Sequence, residues 1–209
     1  MVGRALAQRL GFTCLDTGVM YRAITWLALR QGTPIDDEGA LGALAEEHPV
    51  YLKGWDREEV LVGGHEVGPE LRESRVNGQV SLVARVSAVR RALVRQQRTL
   101  AAEGNIVVVG RDIGTVVLPN ADLKVFLSAS PESRARRRWR EMLDQGQTVE
   151  LEQVLEETRA RDEIDSRRAD SPLVAARDAL LLSTEGLTVD QVVERILEHI
   201  RELTGVGAP

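Results

Sequence analysis

Short, unbroken apolar segments that alternate with helical patterns constrain the fold of this chain most. Residues 106–109, 123–127 and 179–182 have the length and composition of buried strands, with one interruption at Lys124. Helical patterns follow at 131–143, 151–163 and 189–203. Because a strand that is apolar all round has to be covered on both faces, this order predicts an α/β fold: a parallel sheet with helices on both faces.

The first half of the chain is less regular and predicts a small α+β insertion at 33–88. The elements expected in this half are helices at 2–10, 19–30 and 38–47, a strand at 12–15, a hairpin around 54–58 and a long helical region over 69–102. A length of 209 residues fits a single domain over 1–209.

Composition and charge exclude several classes of protein. No run of about 18 apolar residues occurs, and the start MVGRALAQRLGF lacks the features of a signal peptide. Cys14 is the single cysteine and the three histidines are scattered, so we expect neither a disulfide nor a metal site. A net charge of −5 disfavours a nucleic-acid partner. We therefore expect a cytoplasmic protein without a membrane or nucleic-acid partner.

Asp16-Thr17-Gly18 ends the first strand and opens a helix. Aspartic proteases carry the same tripeptide, but their chemistry needs two such loops or a homodimer in an all-β fold, so we reject that activity. Two interpretations remain: a helix N-cap, or contact with a ligand at the carboxyl end of a parallel strand. We favour ligand contact, because Tyr21 and Arg22 lie one helical turn after Thr17 and can face the same ligand.

A second strand end carries Gly110-Arg111-Asp112-Ile113-Gly114 directly after the IVVV segment. A salt bridge between Arg111 and Asp112 is the simplest structural explanation. Since the carboxyl ends of parallel strands meet at one edge of a sheet, however, Arg22 and Arg111 are expected near the same ligand. Two arginines favour an anion, most simply a phosphate.

Arginine is concentrated in two further regions, and 25 of the 27 basic residues are arginines. Residues 72–98 contain seven arginines, of which Arg91, Arg95 and Arg98 share a helical face while Arg90 lies elsewhere. Residues 131–168 contain nine arginines but also ten acidic residues. That balance argues against nucleic-acid binding and is typical of a mobile lid that closes over phosphates.

Several motifs together resemble the bacterial cytidylate kinase family: LDTGVMYR, SLVARVSAVRRAL, VVVGRDIGTVV, RDEIDSRRADSPL and DALLLSTEGLTVDQVVERI. The resemblance implies a P-loop nucleoside monophosphate kinase fold, with 33–88 as the monophosphate-binding region and 131–168 as the lid. It implies transfer of a phosphoryl group from ATP, with Mg²⁺, to CMP or dCMP by a monomer. The implied substrate-binding residues are Thr17, Tyr21, Arg22, Ser81, Arg90, Arg111, Asp112, Asp165 and Arg168, and the implied catalytic residues are Arg161, Arg167 and Arg168.

The chain departs from the family pattern in one respect. Residues 1–209 contain no G-x-x-x-x-G-K-[ST], so no residues for binding the ATP phosphates are identified, and the central first strand of the family is absent. Two apolar strands are then expected to face each other across a gap, and residues 1–209 are expected to have negligible kinase activity. Two alternatives stay open: a non-catalytic CMP-binding protein, or another small-molecule kinase of the same fold, such as a UMP or shikimate kinase.

Overall fold

The computed structural model describes residues 1–57, 59–144, 146–166 and 173–205. The helices are α1 (Val2–Leu10), α2 (Thr17–Gln31), α3 (Glu38–Glu47), α4 (Ser74–Ala84), α5 (Ser87–Ala101), α6 (Pro131–Asp144), α7 (Leu151–Ser166) and α8 (Val189–Thr204). The strands are β1 (Thr13–Asp16), β2 (Tyr51–Lys53), β3 (Glu59–Val62), β4 (His65–Val67), β5 (Ile106–Val109), β6 (Val125–Ser128) and β7 (Leu180–Ser183). None of the helices in these ranges combines the length and apolarity that crossing a bilayer requires.

The predicted parallel pairing is confirmed, but it occurs in separate pairs of strands. β1 pairs with β5, with Thr13 opposite Ile106, and β6 pairs with β7, with Val125 opposite Leu180. In the described part of the chain, β5 and β6 belong to different sheets and are not hydrogen-bonded to each other. The gap expected between two apolar strands therefore lies between β5 and β6, and neither strand uses the edge that faces the other for pairing between them.

A layer of helices covers strands from both sheets. Leu6 of α1 packs with Val192 and Ile196 of α8, and this small core also contacts Val107 of β5 and Val125 of β6. The amphipathic patterns of α1 and α8 explain why both helices bury one face here. The two sheets are therefore held by a shared helical layer even though their strands do not pair.

A larger core surrounds α2 in the first half of the chain. Met20, Ile24 and Leu27 are almost fully buried there, together with Leu41 of α3 and Leu93 of α5. A helix that is buried on most of its circumference needs apolar residues on all sides, and the run VMYRAITWLALR supplies them. This core fixes the position of the helix that follows the Asp16-Thr17-Gly18 turn.

The predicted helical region over 69–102 is confirmed and consists of three separate helical elements. A 3-10 turn at Pro69–Arg72 precedes α4, and the chain breaks again between α4 and α5, where Val86 is extended. The break depends on a tertiary contact. The buried Arg90 side chain donates to the carbonyl of Ala84 at 3.1 Å, and this carbonyl, at the end of α4, would accept from a backbone amide if the helix continued.

The predicted hairpin is present, with Leu52 of β2 opposite Val60 of β3. A third strand, β4, was not predicted from the sequence. β4 pairs with β3 through a tight turn at Gly63-Gly64, where both residues have positive φ, as glycines tolerate. The strand expected at 123–127 begins later, at Val125.

Candidate functional site

The ends of β1 and β5 are joined by a side-chain hydrogen bond. Thr17 Oγ1 donates to the carbonyl of Val109 at 3.0 Å, and Asp16 caps α2 by accepting from the amide of Gly18 at 2.9 Å. Gly110 fits this approach because a Cβ there would lie 2.4 Å from Thr17 Oγ1. The N-cap function of the Asp16-Thr17-Gly18 turn therefore belongs to Asp16, while the Thr17 hydroxyl holds the two strand ends together.

A buried ion pair lies directly behind these strand ends. Arg90 and Asp112 are only 4% and 6% exposed, and an Nη of Arg90 donates to the Asp112 carboxylate. The Arg90 guanidinium also lies over the ring of Tyr21, 5.6 Å from its centroid. Asp112 thus pairs with Arg90 rather than with its neighbour Arg111, which the simplest structural explanation had favoured.

The helical-face prediction for α5 is confirmed by burial. Arg91, Arg95 and Arg98 are all exposed, and Arg95 pairs with Glu46 at the surface, whereas Arg90 is buried. The Nε of Arg90 is buried and has no hydrogen-bond partner within the described residues. A buried N–H without an acceptor is costly, so this atom is a candidate for contact with a ligand.

A cluster of arginine charges surrounds Arg22 on α2. Burial lowers the pKa of the Arg22 guanidinium, and while Asp16 opposes that change, the positive charges of Arg138, Arg72 and Arg111 add to it. We call Arg22, Arg72, Arg111 and Arg138 the arginine rim. Like charges gathered at one place repel each other, and an anion bound among them relieves that repulsion.

Asn77 on α4 fixes the position of Arg22. Its Oδ1 accepts from Arg22 Nη1 at 2.6 Å, and its Nδ2 donates to the carbonyl of Arg72 at 2.6 Å. Neither hydrogen bond has a signature in the sequence, because the two arginines lie on other elements of the chain. Sequence reasoning therefore missed this residue.

Asp162 on α7 links the predicted lid to the arginine rim. Its carboxylate accepts from both Nη atoms of Arg134 on α6, one of them at 2.8 Å, and lies 3.9 Å from Arg111 Nη1. The hydrogen bonds from Arg134 hold the pKa of Asp162 below its usual range. The RDEIDSRR motif contains this residue, but nothing in that motif distinguishes Asp162 from Asp165.

The predicted lid residues are only partly described. Arg161 lies half-buried on α7, beside Asp162, whose pKa it helps to lower. Arg167 and Arg168 lie outside the described residues, and so does the side chain of Asp165. Ser81 is buried on α4, the helix that also carries Asn77.

A cleft of about 1890 Å³ lies between β5 and β6 and reaches the arginine rim. Its apolar lining includes Val107 and Val109 of β5 and Val125 and Leu127 of β6. Its charged lining includes Asp16, Arg72, Arg111, Arg134, Arg138 and Asp162. In the ranges that the model covers, no three histidine, cysteine, aspartate or glutamate side chains gather as they would for a metal ion.

We compared the chain with known protein families and with individual proteins. The family model described as cytidylate kinase matches residues 1–202. A cytidylate kinase of Desulforamulus reducens is 45% identical over 201 residues, which are 96% of this chain and 90% of that protein. One from Caldanaerobacter subterraneus is 45% identical over 203 residues (97% and 89%), and one from Bacillus licheniformis is 44% identical over 201 residues (95% and 89%).

Proposed function

The chain belongs to the cytidylate kinase family, and from this premise we propose that its arginine rim binds the phosphate of a cytidine monophosphate. The reaction is a phosphoryl transfer from ATP to CMP or dCMP, which yields CDP or dCDP. The observation that supports the proposed site is the convergence of Arg22 and Arg111 at the ends of neighbouring strands. A guanidinium group can bind two phosphate oxygens at once, and a cluster of such groups is stabilised by an anion bound among them.

The base is read, in this proposal, by the buried pair behind the rim. Arg90 Nε has no acceptor among the described residues, while both Nη atoms are used by Ala84 and Asp112. O2 accepts a hydrogen bond in both cytosine and uracil, but N3 is an acceptor in cytosine and carries a hydrogen in uracil, so the proposed partner of Arg90 Nε is N3. A site with a fixed buried donor rejects the base that lacks the matching acceptor. The other groups proposed to contact the edge of the cytosine ring are Ser81, Asp112 and Asp165. The base site is bordered, in this proposal, by Thr17 and Tyr21.

The chemical step needs no general base. An oxygen of the CMP phosphate is already ionised; it attacks the γ-phosphorus of ATP in line, and the oxygen that bridges the β- and γ-phosphorus atoms leaves with ADP. The protein contributes positioning and positive charge. We propose that Arg161, Arg167 and Arg168 of the lid supply charge at the transferred group, and that Arg22, Arg111 and Arg168 hold the acceptor phosphate.

Mg²⁺ accompanies ATP in this proposal without a protein site of its own. The described residues form no cluster of three metal-ligating side chains, so they do not fit a metal cage, and we derive no step through the ion. Magnesium in such enzymes is held largely by the nucleotide phosphates and water. The cytoplasmic location, the monomeric state and the division into core, insertion at 33–88 and lid at 131–168 stay predictions.

The donor nucleotide, ATP, needs a phosphate-binding loop. No G-x-x-x-x-G-K-[ST] occurs within residues 1–209, so the backbone amides and lysine that cradle the donor phosphates in P-loop proteins have no counterpart in these residues. We therefore propose that residues 1–209 by themselves bind CMP but turn it over negligibly.

Calorimetric titration with CMP, dCMP, UMP and ATP tests these proposals on one preparation. We expect CMP and dCMP to bind, UMP to bind about tenfold more weakly or worse, and ATP to bind weakly. A coupled assay for ADP on the same protein, checked by intact mass, separates catalysis from binding. UMP binding as tight as CMP would overturn the proposed base recognition, and rapid turnover by residues 1–209 would overturn the proposed inactivity.

Arg90→Lys sharpens the test of base reading. Lysine keeps a positive charge opposite Asp112 but has no Nε, so we expect about tenfold weaker CMP binding and a smaller preference over UMP. Arg95→Lys, at the exposed pair with Glu46, is the matched control and should leave both affinities unchanged. An unchanged preference in Arg90→Lys would contradict the role proposed for Nε.

A further inference from the structure

Arg22 is held in an unusual way for a cation of the rim. Its side chain is half-buried, and its Nη1 donates to the neutral amide oxygen of Asn77 at 2.6 Å. Other arginines nearby are held by carboxylates: Arg90 by Asp112 and Arg134 by Asp162. A carboxylate fixes a guanidinium but also cancels its charge, whereas an amide oxygen fixes it and leaves the charge in place.

The orientation of the Asn77 amide is determined by a second hydrogen bond. An asparagine side chain has one end that accepts and one that donates, and the two look alike in shape. Nδ2 of Asn77 donates to the carbonyl of Arg72 at 2.6 Å, which forces Oδ1 toward Arg22. The amide is therefore locked with its acceptor on the guanidinium, and the Arg72 carbonyl gains a donor.

We propose that Asn77 is the positioning residue for Arg22, and that its neutrality keeps the charge of Arg22 available to the acceptor's monophosphate. This inference rests on the proposed function for the identity of the anion. Its physical content is separate: one hydrogen bond orients the guanidinium, and the absence of a negative charge at residue 77 preserves the attraction for a phosphate. Asn77 itself need not touch the nucleotide.

The decisive variant is Asn77→Asp, which keeps the shape of the side chain and adds a negative charge beside Arg22. We expect its affinity for CMP to fall about tenfold or more, because the added carboxylate competes with the phosphate for the same guanidinium. Affinity for cytidine, which has no phosphate, should not change. Titration of both ligands into wild type and variant, with thermal unfolding as a check of folding, measures the difference.

Gln79→Glu is the matched control for charge. Gln79 lies on the same helix two residues further on, so the change from amide to carboxylate adds the same charge without facing the Arg22 side of α4. Gln79 is half-buried, and residues two apart on a helix do not face the same neighbour, so we expect CMP affinity within about twofold of wild type. Asn77→Ala, which removes the orienting acceptor but adds no charge, should weaken CMP binding about threefold and leave cytidine unaffected.

The outcomes separate this inference from the proposed function. Equal losses of affinity for CMP and cytidine in Asn77→Asp would show that Asn77 is merely structural and would overturn the inference. The inference would also be overturned if Asn77→Asp bound CMP as tightly as Gln79→Glu does. If Asn77→Asp does not fold, Asn77→Ala decides by the same comparison of CMP with cytidine. If wild-type protein binds inorganic phosphate with an affinity that Asn77→Asp lowers, but does not bind CMP, the proposed function alone is overturned. Binding of neither ligand would overturn both.

Discussion

The two sides of the cleft between β5 and β6 are built in different ways. The side with β1, β5 and α2 to α5 has a continuous core in which Leu15, Ile24 and Leu93 are essentially inaccessible to solvent. On the other side, α6 buries Ala135 and α7 buries Val154 and Thr158, and the strands β6 and β7 remain partly exposed. Packing dominates the first side.

Charged contacts take the place of packing on the second side. Arg134–Asp162, Arg138–Glu157 and Arg159–Glu132 all join α6 to α7, and all are partly exposed. On the first side, the pair Arg90–Asp112 is enclosed by the core. Exposed ion pairs contribute little stability and are screened by salt, whereas a buried pair is costly to break. The first side is therefore held mainly by packing, while the contacts between α6 and α7 on the second side are the ones that salt weakens.

Removing one partner of the enclosed pair should have the largest effect on stability. Asp112→Ala leaves the Arg90 charge buried without a counterion, so we expect a loss of about 3–5 kcal/mol in the free energy of unfolding. Urea denaturation measures it. The double variant Arg90→Met/Asp112→Leu removes both charges and should recover most of the loss; a double variant no more stable than Asp112→Ala would show that packing, not charge, causes it.

A matched pair of leucines compares packing across the cleft. Leu93→Ala on the packed side should cost about 2–5 kcal/mol, because its side chain is fully buried. Leu127→Ala on β6 removes the same atoms from a side chain that is 40% exposed, so we expect less than about 1 kcal/mol. Chemical denaturation of both variants gives the ratio. Equal losses of unfolding free energy in the two variants would show that β6 is as well packed as α5, and would contradict the difference between the two sides.

The lid pair Asp162–Arg134 should matter locally rather than globally. Asp162→Asn weakens a contact made by both Nη atoms of Arg134, and at this partly exposed site we expect a loss of about 0.5–1 kcal/mol in the local stability of α7. Amide hydrogen exchange in α7 should then be about two- to fivefold faster. Glu157→Gln, at the single 3.4 Å contact with Arg138, makes the same charge change and should have less effect.

The smallest effect is a pH dependence at the start of α6. Hydrogen bonds from Ser133 and Ser130 lower the pKa of Glu185 from 4.5 to about 2. Because the pKa is depressed in the folded protein, the carboxylate stabilises it above about pH 4.5, and this contribution is lost as the pH falls toward 2. The stability difference between wild type and Glu185→Gln should therefore shrink between pH 5 and 3, which urea denaturation at each pH measures. A difference that stays constant over this range would contradict the role given to this carboxylate.

Local pattern predicted the elements of the fold well and their connections less well. The strands β1, β5 and β7 and the helices α6, α7 and α8 lie close to where apolar runs and helical periodicity put them. The break between α4 and α5 was missed because it depends on Arg90 reaching the Ala84 carbonyl. β4 was missed because a strand of three residues has too little pattern to detect.

The sequence by itself determined which residues are charged, which segments are apolar, and that Arg22 and Arg111 follow the ends of two strands expected to be parallel. Those properties depend on residue type and spacing alone. Only the tertiary structure decided the partners: Asp112 with Arg90, Asp162 with Arg134 and Asn77 with Arg22. Each of these contacts joins residues from different elements, and a side chain's choice of partner depends on distance and burial, which a linear pattern does not contain.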